Sequence, residues 1–215
     1  MATADHDSSA SSLSLRLWRE NEEEAQQALH HPFVEALARA TLPKERFTAF
    51  LAQDALYLDA YARAYALGAA KAPDAEAMRS FARLLDGTLQ ELADVHQSYA
   101  RRWGIRLATV PDAVTQAYTD FLLHIGYARD AGSLAVAMTP CSRLYAFLGA
   151  SLAPQVTPDH PYAAWVQAYA SPDFEASAVQ LEHLVDRLAA DTPTTHHLYR
   201  HALTLELAFF DQAPL

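Results

Sequence analysis

The sequence predicts an all-α protein, a single-domain helical bundle. Apolar residues recur at three- and four-residue spacing along nearly the whole chain, the period of an amphipathic helix. Strand signals are almost absent: there are only 6 glycines, and Asp86-Gly87 lies inside a helical pattern instead of between alternating segments. The breaks between periodic stretches fall at prolines and capping residues.

Taken in order, Leu13, Leu15, Leu17 and Trp18 open an amphipathic stretch that runs through Glu22-Glu23-Glu24, a solvated face, to Leu29. Pro32 suits the first turn of a short helix, Phe33 to Ala40. After Pro43 a long helix is expected from Lys44 to Ala70. Phe47, Phe50, Leu51, Leu56, Tyr57, Leu58, Tyr61, Tyr65 and Leu67 bury most of its circumference. Asp74 is the expected N-cap of a helix from Ala75 to Arg102, with Phe81, Leu84, Leu85, Leu89, Leu92, Val95 and Tyr99 inside and Gly104 just past its end. Pro111 starts the next helix, which carries Tyr118. The segment with Pro140-Cys141 follows Gly132. Tyr162 to Tyr169, a helix capped by Ser171-Pro172, and a last helix from Thr194 to Phe210 complete eight to ten helices. Residues 1–12, rich in Ser, Ala and Asp, read as a frayed tail before a domain spanning 13–215.

Composition narrows the function. The 215 residues are 51% hydrophobic, enough for one sizeable core. A net charge of -10 argues against nucleic acid or an anionic membrane as partner. One cysteine excludes an intrachain disulfide framework and suits a reducing cytosol. The N-terminus lacks the apolar core of a secretory signal, and no apolar run reaches the ~18 residues of a membrane span. A cytoplasmic protein is expected.

The stretch Thr139-Pro140-Cys141-Ser142-Arg143-Leu144-Tyr145 is the most informative. Proline has no N–H for the helix ladder, so a kink or restart is expected at Pro140. Cys141 then reads either as a buried structural thiol or as a reactive thiol near a helix start, where the partial positive charge favours thiolate. Asp54, Tyr57 and Tyr61 share one face of the long helix. Asp54 is either a core-edge acid bonded to a tyrosine or a ligand-binding group. Glu206 sits in the apolar run Leu205 to Phe210. Desolvation there raises a carboxyl pKa, unless the residue is half-exposed and paired with Arg200. Tyr118, Tyr162 and Tyr169 could line a pocket for a flat heteroaromatic ligand. No Glu-x-x-His, glycine-rich phosphate loop or Gly-x-Ser-x-Gly elbow occurs, so no metal and no cofactor is expected.

His31-Pro32-Phe33-Val34, Gln53-Asp54-Ala55-Leu56-Tyr57-Leu58, Tyr118 with Phe121-Leu122, Pro140-Cys141 with Tyr145, Tyr162 to Ser171 with Phe174, and Glu206 to Ala213 together resemble the TenA/thiaminase II family. The resemblance covers nearly everything from residue 13 onward. It implies a haem-oxygenase-like fold without haem and a homotetramer. It also implies hydrolysis of the methylene C–N bond of an aminomethylpyrimidine to hydroxymethylpyrimidine, in thiamin salvage. Thiamin itself is a further substrate of some members. The catalytic residues it implies are Cys141 as nucleophile, Tyr118 as a hydroxyl against the sulfur and Glu206 as proton shuttle. It further implies that Asp54 binds the ring amino group, that Tyr57 and Tyr145 sandwich the ring, and that Tyr169 helps hold it. Arg143 and Phe210 stand where the family often has Trp, which touches substrate preference. Rival readings are an oxygenase on the same scaffold and a non-enzymatic heterocycle-binding protein.

Overall fold

A computed structural model describes residues 11–93, 99, 101, 103–104 and 110–212 of the chain. Its helices are α1 (Leu13–Glu20), α2 (Glu22–Leu29), α3 (Pro32–Ala38), α4 (Lys44–Lys71), α5 (Ala75–Glu91), α6 (Ala113–Ala128), α7 (Ala131–Leu152), α8 (Ala163–Tyr169), α9 (Pro172–Leu188) and α10 (Pro193–Asp211). A short 3₁₀ turn, Ala153–Gln155, follows α7. No strand occurs among the described residues.

The helices start where local chemistry says they should. The Asp74 carboxylate accepts from the Glu76 and Ala77 amides, and Ser171 accepts from the Phe174 amide. Ser12, expected in the tail, instead caps α1; the rest of the tail, residues 1–10, lies outside the described residues. The first amphipathic stretch is two helices, broken at Asn21, whose side-chain amide donates to the Leu17 carbonyl. Gly104 has φ 66°, the left-handed conformation of a residue past a helix end. The helix expected to reach Arg102 stops as regular α-helix at Glu91, and residues 92–93 form a π-helical turn. Val95 and most of the expected continuation lie outside the described residues. Leu89, expected inside, is 50% exposed. Ala77, Phe81, Leu84 and Thr88 form the buried stripe, and Leu89 stands about 100° round the helix from it.

Helix α7 is the central post. It packs against α9, α10, α8, α6 and α4, and every residue from Leu134 to Ser142 is buried. This corrects the expectation at Pro140: α7 runs unbroken through it. A mid-helix proline costs about 3 kcal/mol, a cost that the contacts of a helix surrounded on all sides exceed. Cys141 therefore lies deep within a helix and draws nothing from a helix N-terminus.

A close helix crossing places one wall of the cavity described below. A Cβ built at Gly149 of α7 would lie 2.4 Å from the Tyr169 carbonyl carbon and 2.6 Å from the Ala170 nitrogen. Only glycine lets α8 come that near. Gly149→Ala is expected to destabilise the fold by about 1–3 kcal/mol and to displace Tyr169. Thermal unfolding checks this; an unchanged Tm would contradict it.

Candidate active site

Helices α4, α5, α7, α8 and α9 enclose a cavity of about 370 Å³. From α4 it receives Asp54, Leu58, Tyr61 and Tyr65, one stripe at helical spacing. From α7 come Cys141, Ser142 and Tyr145, and from α8 Tyr169. The expected Asp54–Tyr57–Tyr61 face is thus divided. Tyr57 does not line this cavity; its ring lies 4.6 Å from that of Tyr118 and 5.9 Å from that of Phe209. Tyr145 does line it, with its ring 4.9 Å from the Tyr169 ring and Phe210 stacked behind at 6.1 Å.

The chemistry is concentrated behind the sulfur. Glu206, on α10, is 2% exposed, and the Tyr118 hydroxyl donates to its Oε1 at 2.6 Å. Burial pushes the Glu206 carboxyl up to about 7; the Tyr118 hydroxyl and the Cys141 thiol pull it down, and the Asp54 charge pushes it up. Burial also holds the Cys141 thiol well above its ordinary value, and the negative charge of Glu206 reinforces this. The Tyr57 hydroxyl, facing the sulfur, acts in the other direction on Cys141. Tyr118 and Tyr57 both lie near the sulfur and differ in their partners. The Tyr118 hydroxyl is bonded to Glu206, and Tyr57 is a near neighbour of the sulfur. At neutral pH the thiol is protonated while Glu206 is near its midpoint. A proton leaving sulfur thus has an acceptor beside it.

The structure brings Asp54, Cys141 and Glu206 together from α4, α7 and α10, close enough that the Asp54 charge is felt at both Cys141 and Glu206 and the Glu206 charge at Cys141. Arg200 is not the partner of Glu206; its Nε donates to Asn21 Oδ1 at 3.2 Å. Arg143 faces away from the cavity. It forms a bidentate pair with Glu182 at 2.7 and 2.8 Å and reaches Glu175 at 2.9 Å, tying α7 to α9. Phe210 is fully buried among Phe33, Phe50 and Tyr145 and does not line the cavity. Neither departure from the family pattern touches the cavity wall.

Sequence reasoning missed Glu91. It lies at the end of α5, lines the cavity, and its Oε1 accepts from the Tyr169 hydroxyl at 2.6 Å. Leu84, Thr88 and Glu91 stand at i, i+4 and i+7, so an acid on the inner stripe was the available signal. A chain of hydroxyls was also missed: Tyr65 donates to Tyr61, and Tyr61 donates to the Met138 carbonyl. Among the described residues, no three His, Cys, Asp or Glu side chains gather as a metal-ligand set. None of the described helices is long and apolar enough to cross a membrane.

Fold and site define an all-helical protein with a tyrosine-walled cavity and a thiol–carboxyl pair at its base. The chain belongs to the TENA/THI-4/PQQC family, whose sequence model matches residues 18–213. It is 38% identical over 167 residues to an aminopyrimidine aminohydrolase of Halalkalibacterium halodurans, covering 74% of each chain. A solved structure of a TenA family transcription regulator from a Silicibacter species superposes with a TM-score of 0.85 at 28% identity, over 94% of this chain and 96% of that one. The haem-bound heme oxygenase-1 of a Synechocystis species shares the fold, with a TM-score of 0.67 at 14% identity, over 94% and 92% of the two chains. The haem-oxygenase-like architecture expected from the sequence is therefore the observed one.

Proposed function

We propose that this protein is an aminopyrimidine aminohydrolase. It hydrolyses the methylene C–N bond of an aminomethylpyrimidine to give hydroxymethylpyrimidine and ammonia, in thiamin salvage. The observation that carries the reading is the buried Tyr118–Glu206 pair beside Cys141, at the base of a cavity that also holds Asp54. The name of the Halalkalibacterium relative supports the same substrate class.

The chemistry follows from the protonation states. Asp54 accepts hydrogen bonds from the ring amino group, and Tyr145 and Tyr169 hold the ring. The sulfur bounds the reacting side, with Tyr57 and Tyr118 behind it. Cys141 Sγ adds to an electrophilic ring carbon as its proton passes to Glu206. Glu206 then donates that proton to the amine, and the C–N bond breaks to release ammonia. Water adds to the exocyclic methylene and gives a proton to Glu206. The C–S bond then breaks, and the proton returns to sulfur. Substrate plus water become alcohol plus ammonia, and the thiol and carboxylate are restored. A carboxyl near 7 can take and give the proton at neutral pH.

The reading carries with it a homotetramer in the cytoplasm, a state that light scattering of the purified protein tests. Ammonia release from 4-amino-5-aminomethyl-2-methylpyrimidine is the direct assay of the reaction. Steady turnover is expected. No release above the uncatalysed rate would overturn the proposal.

A further inference from the structure

Hydrogen bonds inside the protein consume most of the hydroxyl protons in the cavity wall. Tyr61 donates to the Met138 carbonyl, Tyr65 to Tyr61, Thr88 to the Leu84 carbonyl, and Ser177 to the Asp173 carbonyl. Tyr169 donates to Glu91 at 2.6 Å. The Ser142–Tyr61 contact of 2.9 Å must use the serine proton, because the single Tyr61 proton lies on Met138. Each of these oxygens can offer only lone pairs to a ligand. The described lining residues further include the carboxylates Asp54, Glu91 and Asp173, and no arginine, lysine or histidine.

We infer that Glu91 is a specificity-determining residue. By taking the Tyr169 proton it leaves an acceptor-only corner, made by the Tyr169 oxygen and its own carboxylate, in a wall that elsewhere keeps donors at Gln90, Tyr145 and Ser171. That corner selects substrates whose reacting arm is a protonated amine and disfavours neutral and anionic ones. The inference rests on the proposed reaction and narrows its substrate class to cations that donate hydrogen bonds. Once bound, the ammonium passes its extra proton to the Glu91 carboxylate and reacts as the free amine that Glu206 protonates, and the departing ammonia takes that proton back from Glu91. An ammonium on the ring methylene meets the Tyr169 oxygen and the Glu91 carboxylate with donors and positive charge. A hydroxyl in its place supplies one donor and no charge, so product is held less tightly than substrate. A phosphate ester brings negative charge and acceptors against acceptors, a combination that specificity by repulsion exploits. Glu91 is half-buried beside the π-helical turn at 92–93, so its charge is partly screened. The effect expected from one such charge is about tenfold in affinity.

The test titrates three probes into the full-length protein by calorimetry: 4-amino-5-aminomethyl-2-methylpyrimidine, its 5-hydroxymethyl counterpart, and the phosphate ester of the latter. The native protein is expected to bind the ammonium about tenfold more tightly than the alcohol, with no measurable binding of the phosphate ester. Glu91→Gln is expected to bring the ammonium-to-alcohol ratio down to about twofold while leaving the alcohol affinity nearly unchanged. Glu91→Asp should restore part of the ratio. Tyr169→Phe keeps the ring but loses the acceptor and should also lower it, which keeps the idea testable if Glu91→Gln does not fold. A ratio near one in the native protein, or one unchanged by both substitutions, overturns the inference. Ammonia release from the same samples reads the reaction separately. No turnover with the affinity ratio intact overturns the reaction and supports the charge selection; turnover with a ratio near one does the reverse.

Discussion

Cys141→Ala is expected to lower the rate of ammonia release by ~10³-fold or more while the protein stays folded and still binds the pyrimidine. The thiol is 9% exposed at the cavity wall, so truncating it removes one sulfur from a site already open on one side. The stability cost is about 1 kcal/mol. The loss of rate arises because the elimination of ammonia needs electron density pushed into the ring. Among the described residues no other nucleophilic side chain lines the cavity at the position of the sulfur, and Ser142 has its proton committed to Tyr61. The sulfur has no preformed thiolate to rely on, since burial and Glu206 both favour the thiol. In the proposed reaction, proton transfer to Glu206 therefore accompanies attack, and a solvent isotope effect is expected in the native rate. Activity within tenfold of native in Cys141→Ala, with normal Tm, would remove Cys141 from the mechanism.

Glu206→Gln is expected to lower kcat by about 10²–10³-fold with little change in KM. It should also abolish the acid limb of the kcat/KM profile, whose midpoint is expected at about 7, where the carboxyl titrates. Glutamine keeps an oxygen to accept from Tyr118, so the packing survives. A second consequence concerns stability. The carboxyl is raised from 4.5 to about 7 in the folded protein, so the folded state holds that proton more tightly than the unfolded chain does. Ionising Glu206 therefore opposes folding. The penalty is absent below 4.5, grows between 4.5 and 7, and is fully present above 7, where it amounts to about 3 kcal/mol. Glu206→Gln is free of it. The variant should gain stability relative to the native protein as pH rises from 4.5 to 8, a gain followed by chemical denaturation at both pH values. An equal difference at the two ends would show that Glu206 titrates normally. Loss of kcat without loss of the acid limb would assign that limb to another group.

These two residues illustrate how far a sequence can be read. Glu206 stands out because a charge inside the run Leu205 to Phe210 has no reason to be there unless it is used or paired. Cys141 stands out only by its company, and the local argument about it was mistaken. Pro140 neither breaks α7 nor supplies a helix start, because propensity is a weak prior against complete burial. Leu89 failed in a related way: its hydrophobicity suggested an inner position, and its angle round α5 placed it in solvent. Arg143 was legible as a departure from the family pattern but not as a harmless one. Its partners Glu175 and Glu182 lie on α9, more than thirty residues away.

By itself the sequence determined the class and order of the helices, their caps, and which residue types could carry chemistry. Those properties depend on neighbours three or four positions apart, and the chain records such neighbours directly. Only the tertiary structure decided which side chains meet. It placed Glu206 against Tyr118 across 88 residues and Glu91 against Tyr169 across 78, and it turned Tyr57 towards Tyr118 and Phe209, out of the cavity wall. The displacement of the Glu206 pKa and the acceptor character of the Tyr169–Glu91 corner arise from burial and from where each proton is spent. Those are properties of the packed interior, set by contacts between residues remote in sequence.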